Sequence, residues 1–184
     1  MSVNRELEKK VFEYMSYLKR HISGVQIAYY QFCTPLLERS NLSTLFSDEE
    51  LHQAVLELRP IIRNHDESKY SSVEFEGYRM HYYPTQFERE SIDFDSKQRY
   101  AFDLAWDHHW KHNPHHINYW YMRQEKMPLK FMLEMICDWV SVGNLKGTST
   151  LAWYSKDALK EKRMLGDQCF DVESLMGHTL CIER

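Results

Sequence analysis

Apolar residues along this chain recur at intervals of three and four, with no convincing run of period-two alternation. An α-helix places residues three and four apart on one face, whereas a half-buried strand needs strict alternation. The fold class expected from this is all-α. In residues 4–33, Val11, Tyr14, Met15, Leu18, Ile22, Val25 and Tyr29 form one helical stripe, and Pro35 should close it. Ser47 and Glu50 make a capping box for a second helix, whose face carries Leu51, Val55, Leu58, Ile61 and Ile62 up to about Asn64. Pro60 should kink that helix. Ser71 or Ser72 can cap a third, short helix running through Tyr82 and stopped by Pro84; residues 84–95 read as a polar loop. A fourth helix covers 96–113 and ends at Asn113-Pro114. Pro128 opens a fifth, 128–142, with Gly143 closing it, and 155–165 reads as a sixth in a helical tail over 155–184. No repeat, low-complexity tract or linker interrupts the pattern. The expectation is a compact single-domain bundle of about six helices over residues 1–184.

The chain's 184 residues can bury a core without disulfides. Lys plus Arg is 23 against 27 Asp plus Glu, a net charge of -4, so a stable duplex nucleic-acid partner held through its phosphates is not expected. No stretch approaches a membrane span, and MSVNRELEKK lacks the apolar centre of a signal peptide. Cys33, Cys137, Cys169 and Cys181 have no C-x-x-C spacing and read as reduced thiols, which points to a cytoplasmic protein.

Ten His stand out, because His108, His109, His112, His115 and His116 crowd into WDHHWKHNPHH. Imidazole is a good ligand for borderline transition metals. His108/His112 and His109/His112 have the spacing of a shared helical face, and the break at Pro114 allows His115 or His116 to turn back toward it. A solvated polar helix end is the plainer alternative. His65-Asp66 in NHDESKY follows an apolar helix and precedes Lys69. Asp138 lies in the most apolar segment, EMICDWVSV, with Glu134 one turn earlier; a salt bridge at the core edge would also explain it. His21 continues the stripe of Tyr14 and Leu18, where a lone histidine is more often a satisfied core residue than a ligand.

The order His21, His65-Asp66, Asp138 resembles the HD-domain superfamily of metal-dependent phosphohydrolases. HDESK resembles its HD-x-x-K form, and His109 with His115 and His116 resembles the extra ligands of its two-metal branch, which includes the HD-GYP phosphodiesterases. HDESK, AWDHHWKHNPHHINYW and EMICDW together resemble an uncharacterised bacterial and phage family of small HD-like proteins. The likeness spans about residues 15–142.

The resemblance implies a nucleotide phosphohydrolase that cleaves a phosphomonoester, or a cyclic or short phosphodiester, with a metal-bound hydroxide. His21, His65, Asp66, Asp138, His109, His115 and His116 would hold one or two Mn, Fe, Co, Ni or Zn ions. Lys69 would meet charge on the substrate, Asp66 could bridge two ions, and Glu134 would orient a ligand histidine. His112 could contact phosphate. Tyr119 and Trp120 could stack on a base, although core packing explains them better. A homodimer stays open. Two other functions fit the same ligands: a di-iron oxygenase of HD type, and a non-catalytic binding protein clipped by a structural metal.

Overall fold

The computed structural model describes residues 3–38 and 46–180, the last three of these by backbone alone. Among the described residues every regular element is helical, so the class is all-α. The partition of the chain follows the apolar stripes, with instructive departures.

Helix α1 (Val3–Ala28) does not stop at Pro35. It widens into a π-turn, Tyr29–Cys33, and restarts as α2 (Thr34–Glu38) with Pro35 in its first turn. A first-turn residue has no intrahelical use for its N–H, so proline is tolerated there. Helix α3 (Asp48–Ile61) opens on the expected capping box: Glu50 N donates to Ser47 Oγ at 3.2 Å, and Ser47 N donates to Glu50 Oε2 at 2.8 Å. Just past Pro60 it tightens into a 3-10 turn, Ile62–Asn64. The chain then leaves helical geometry: His65 is extended at ψ 129°, Asp66 is left-handed at φ 59°, and a second 3-10 turn, Glu67–Tyr70, follows.

Helix α4 (Phe75–Tyr82) starts later than expected. Ser71 contributes its carbonyl, accepting from Phe75 N at 2.9 Å, instead of a side-chain cap. The polar stretch after Pro84 holds α5 (Gln86–Arg89), opened by a capping box of Thr85 and Glu88. Helix α6 (Phe94–His112) ends before Asn113-Pro114, and the short α7 (Ile117–Tyr121) follows. Helix α8 (Leu129–Lys146) runs through Gly143, and Gly147, at φ 66°, ends it. Gly143 serves packing: a Cβ there would fall 2.6 Å from Thr150 Oγ1 and 2.8 Å from the Thr148 carbonyl oxygen. Ser149 then caps α9 (Thr150–Lys156). After it come α10 (Leu159–Leu165), a 3-10 turn Gly166–Gln168, and α11 (Cys169–Leu180), so the expected sixth helix is divided.

Backbone contacts divide the chain into two units. The first comprises Met1–Arg20 and Asp66–Asn113; the second comprises His21–His65 and Pro114–Arg184. The divisions fall at 20/21, 65/66 and 113/114, each beside a residue singled out in the sequence.

The first unit has a small aromatic core of Tyr14, Leu18, Tyr78 and Ala105, with Phe75, Phe102 and Trp106 against it. Gly77 lets α4 close on α6, because a Cβ there would collide with the Ala101 carbonyl oxygen. The fully buried Arg79 pairs with Glu76 and Glu88 and fastens α5 to α4.

The second unit has the larger core, with α3 packed on α8 through residues such as Leu51, Val55, Leu58, Leu133 and Ile136. Cys33 and Cys137 are buried free thiols there, Sγ to Sγ 3.8 Å, and Cys169 is also free. Cys181 lies outside the described residues.

Candidate metal-binding clusters

In the second unit, α1 delivers His21, the extended residue after α3 delivers His65, and the turn before α7 delivers His115 and His116. Helix α8 delivers Glu134, Asp138 and Ser141. Their spacing of four and three places them along one helical face, and α8 buries Glu134 and Ser141 within its apolar sequence. Glu134 Oε1 lies 2.9 Å from His65 Nδ1 and 3.4 Å from His115 Nδ1. Burial pushes its carboxyl up, but hydrogen bonds from His115 and His65 outweigh this and bring it down to about 2. An ionised glutamate only accepts, so it fixes the ring protons on Nδ1 and leaves the Nε2 lone pairs for other use.

His65 Nε2 then faces Asp138 Oδ1 at 3.9 Å, and His21 Nε2 faces the same oxygen at 3.3 Å. Ser141 Oγ donates to the His21 carbonyl at 3.0 Å, so the Ser141 Oγ lone pairs can accept from His21 Nδ1 at 3.4 Å. Ring nitrogens that present lone pairs to a carboxylate oxygen repel it unless a cation lies between them. Ligand atoms around one ion, with bonds of roughly 2.0–2.2 Å, sit roughly 3–4 Å apart. The ligand atoms of His21 and His65, and those of His65, His115 and Glu134, fall within 4.8 Å of one another. These buried groups could hold a metal ion.

The first unit repeats the arrangement with different residues. Glu74, completely buried, receives His109 Nδ1 at 2.8 Å on one oxygen and His108 Nδ1 at 2.7 Å on the other. Ser68 Oγ also donates to it at 3.0 Å. Burial would raise Glu74, but these hydrogen bonds, His109 first, hold it below the usual carboxylate range. His109 Nε2 points at Asp66 Oδ1, 3.2 Å away, while Lys69 Nζ holds the other Asp66 oxygen at 2.5 Å. Asn113 Nδ2 donates to the His109 carbonyl at 2.7 Å and to Ser68 Oγ at 2.9 Å. His109 thus turns inward, as the two-metal expectation requires, and its neighbour His108 keeps 29 % of its side chain exposed.

His65 stands directly after the 3-10 turn that ends the α3 segment, and the next residue, Asp66, takes a left-handed backbone. Non-glycine residues adopt that conformation at a cost, aspartate among the less reluctant. Other predicted residues are engaged locally. The exposed His112 stacks on His108 at 4.0 Å, and its Nδ1 donates to the His108 carbonyl at 2.7 Å. His116 sits at the start of α7 with its ring 4.2 Å from that of His115. Trp120 donates to the Pro114 carbonyl and packs on Phe131, and Arg123 covers the Tyr119 ring at 3.6 Å. These aromatic contacts are structural.

Sequence reasoning did not single out Glu74, Ser68, Asn113 or Ser141. Glu74 lies just before α4 in SSVEFEGY and is fully buried, and Gly77 three residues on lets α4 close on α6.

Comparison with curated proteins and with solved structures finds no match. One family model does match, over residues 10–171, a span that includes every histidine and carboxylate of both clusters. The chain therefore belongs to the family described as "Family of unknown function (DUF5662)".

Proposed function

We propose that this protein is a metal-dependent phosphohydrolase acting on a phosphate ester, with a nucleotide monoester or a cyclic or short diester as substrate. The observation that carries the reading is the pair of buried glutamates, each fixing two imidazoles through Nδ1. In each cluster the Nε2 of a glutamate-held ring faces an aspartate oxygen, His109 toward Asp66 at 3.2 Å and His65 toward Asp138 at 3.9 Å, with His21 Nε2 also 3.3 Å from Asp138. Mixed nitrogen and carboxylate donors suit Mn, Fe, Co, Ni or Zn better than an all-oxygen preference for Mg or Ca. His21, His65 and Asp138 would hold such an ion in the second unit. His109 is the corresponding ligand of the first unit. Bound in such a site, a divalent ion supplies a Lewis acid and a hydroxide nucleophile near neutral pH.

The chain's own residues do the rest. Glu134 and Glu74 lock ring orientation and tautomer. Lys69 brings a positive charge beside Asp66, where it can meet charge on non-bridging phosphate oxygens. Among the described residues no helix is long and apolar enough to cross a membrane.

The test is metal analysis of the purified chain followed by turnover. One or two Mn, Co, Ni, Zn or Fe ions with hydrolysis of p-nitrophenyl phosphate, then of a nucleotide panel, is the expected result. Two irons with a visible absorption band and no phosphatase activity would transfer the chain to the oxygenases. Bound metal with neither property would leave a structural clip.

A further inference from the structure

Tyr14 and Tyr78 are 1 % and 4 % exposed, and among the described residues neither phenolic oxygen has a hydrogen-bond partner. Buried hydroxyls are normally paired, and each exception calls for an explanation. Phenylalanine would fill the same ring volume in this core without burying a polar atom. The explanation lies in what surrounds the rings. The Tyr78 ring meets His109 edge-on at 5.7 Å and lies 5.2 Å from Lys69 Nζ. His109 Nε2 faces one oxygen of Asp66 at 3.2 Å and Lys69 Nζ holds the other at 2.5 Å. Tyr78 is therefore part of the wall around Asp66. Tyr14 belongs to the same small core and packs edge-on against Phe75 at 5.0 Å.

Burial, together with the charges of Asp66 and Glu74, pushes both phenols up beyond any range in which they would ionise. Each remains a neutral O–H, able to donate but unable to act as base or nucleophile. Neutral donors suit this location. A further lysine or arginine would pair with Asp66 or Glu74, as Lys69 already does with Asp66. A phenol adds a hydrogen bond for an incoming oxygen without that competition.

We propose that Tyr14 and Tyr78, with Lys69, form an oxyanion subsite in the first unit that accepts oxygens of a phosphate group. This rests on the phosphohydrolase reading for its role in turnover, though not for the binding itself.

The probe is inorganic phosphate, titrated calorimetrically into the full chain with its metal as purified. Tyr78→Phe and Tyr14→Phe should each weaken phosphate binding about tenfold, the scale of one hydrogen bond to a charged group. Metal content should be unchanged. Without phosphate both variants should melt no lower than the wild type, because each loses only a buried hydroxyl that had no protein partner. With phosphate the wild type should gain thermal stability that the variants lose. Wild-type protein that does not bind phosphate would overturn the proposal. So would variants that bind it within twofold of wild type, or that melt several degrees lower in its absence. Tyrosine-dependent phosphate binding without turnover of any phosphate ester would keep the subsite and remove the phosphohydrolase reading. Turnover with tyrosine-independent phosphate inhibition would do the reverse.

Discussion

The two units build one device from different materials. In each, a buried glutamate grips two imidazoles by Nδ1, and an Nε2 faces an aspartate. In the second unit the glutamate rises from the middle of α8, amid the aliphatic and sulfur side chains of the larger core. In the first it precedes α4, beside a small core of rings, with hydroxyl, amide and ammonium groups at hand. The surroundings of the second unit suit permanent ligands, since Glu134 is buried within the apolar sequence of α8. Those of the first can also meet something that comes and goes, because Lys69, Tyr14 and Tyr78 add donors that a metal does not need.

Substitution can break this comparison, and the largest effect should come from the aspartates. Asp138→Ala and Asp66→Ala should each lower turnover by at least about a thousandfold, with metal lost from the purified protein, because the nucleophile depends on the ion. If Asp138→Ala lowers only the melting temperature and metal content stays full, the second unit's cluster is a core-edge salt bridge. Lys69→Ala comes next. It should keep its metal and lose about 10²–10³ in rate, the scale of one electrostatic stabiliser; rates equal to wild type would reduce Lys69 to a turn residue.

The glutamates sharpen the contrast further. Glu134→Gln and Glu74→Gln should each weaken metal affinity about 10–100-fold, as loss of an orienting partner does, measured by competition with a chelator. An effect at only one of them would assign the ion to that unit alone. The smallest effect concerns acid stability in the first unit. Burial raises the Glu88 carboxyl, but Arg79 and Thr85 outweigh this and bring it down to about 2. A depressed carboxylate stabilises the fold fully above its unfolded value near 4.5, and that contribution fades as pH falls toward 2. Glu88→Gln should therefore flatten the decline in melting temperature between those pH values while lowering the plateau above them.

Much of this was legible in the sequence because it depends on local spacing. The stripes of α1 and α3 and the Ser47 capping box are decided within a few residues. Asp138 and Glu134 stand out as acids in an apolar helix; the divergence expected of neighbouring His108 and His109 is overridden by Glu74, which takes one Nδ1 on each of its oxygens. The Thr85–Glu88 capping box was present in the letters but hidden in a polar stretch. Other features are tertiary. Glu74 is buried against α6, which Gly77 lets α4 approach closely, and Gly143 leaves room for Thr148 and Thr150 to pack against α8. Pro35 fails to end the helical path because a π-turn resets the register before it.

The left-handed backbone of Asp66 has a consequence for how such a protein can change. A non-glycine residue held there costs of order 1–3 kcal/mol, a sizeable fraction of the roughly 5–15 kcal/mol that keeps an ordinary domain folded. Glycine at this position would relieve the strain and discard the carboxylate. Selection for thermal robustness alone would therefore favour glycine at position 66, and keeping aspartate there trades some stability for that carboxylate. The same tension makes Asp66→Asn the cleaner replacement, since asparagine tolerates the conformation and removes only the charge.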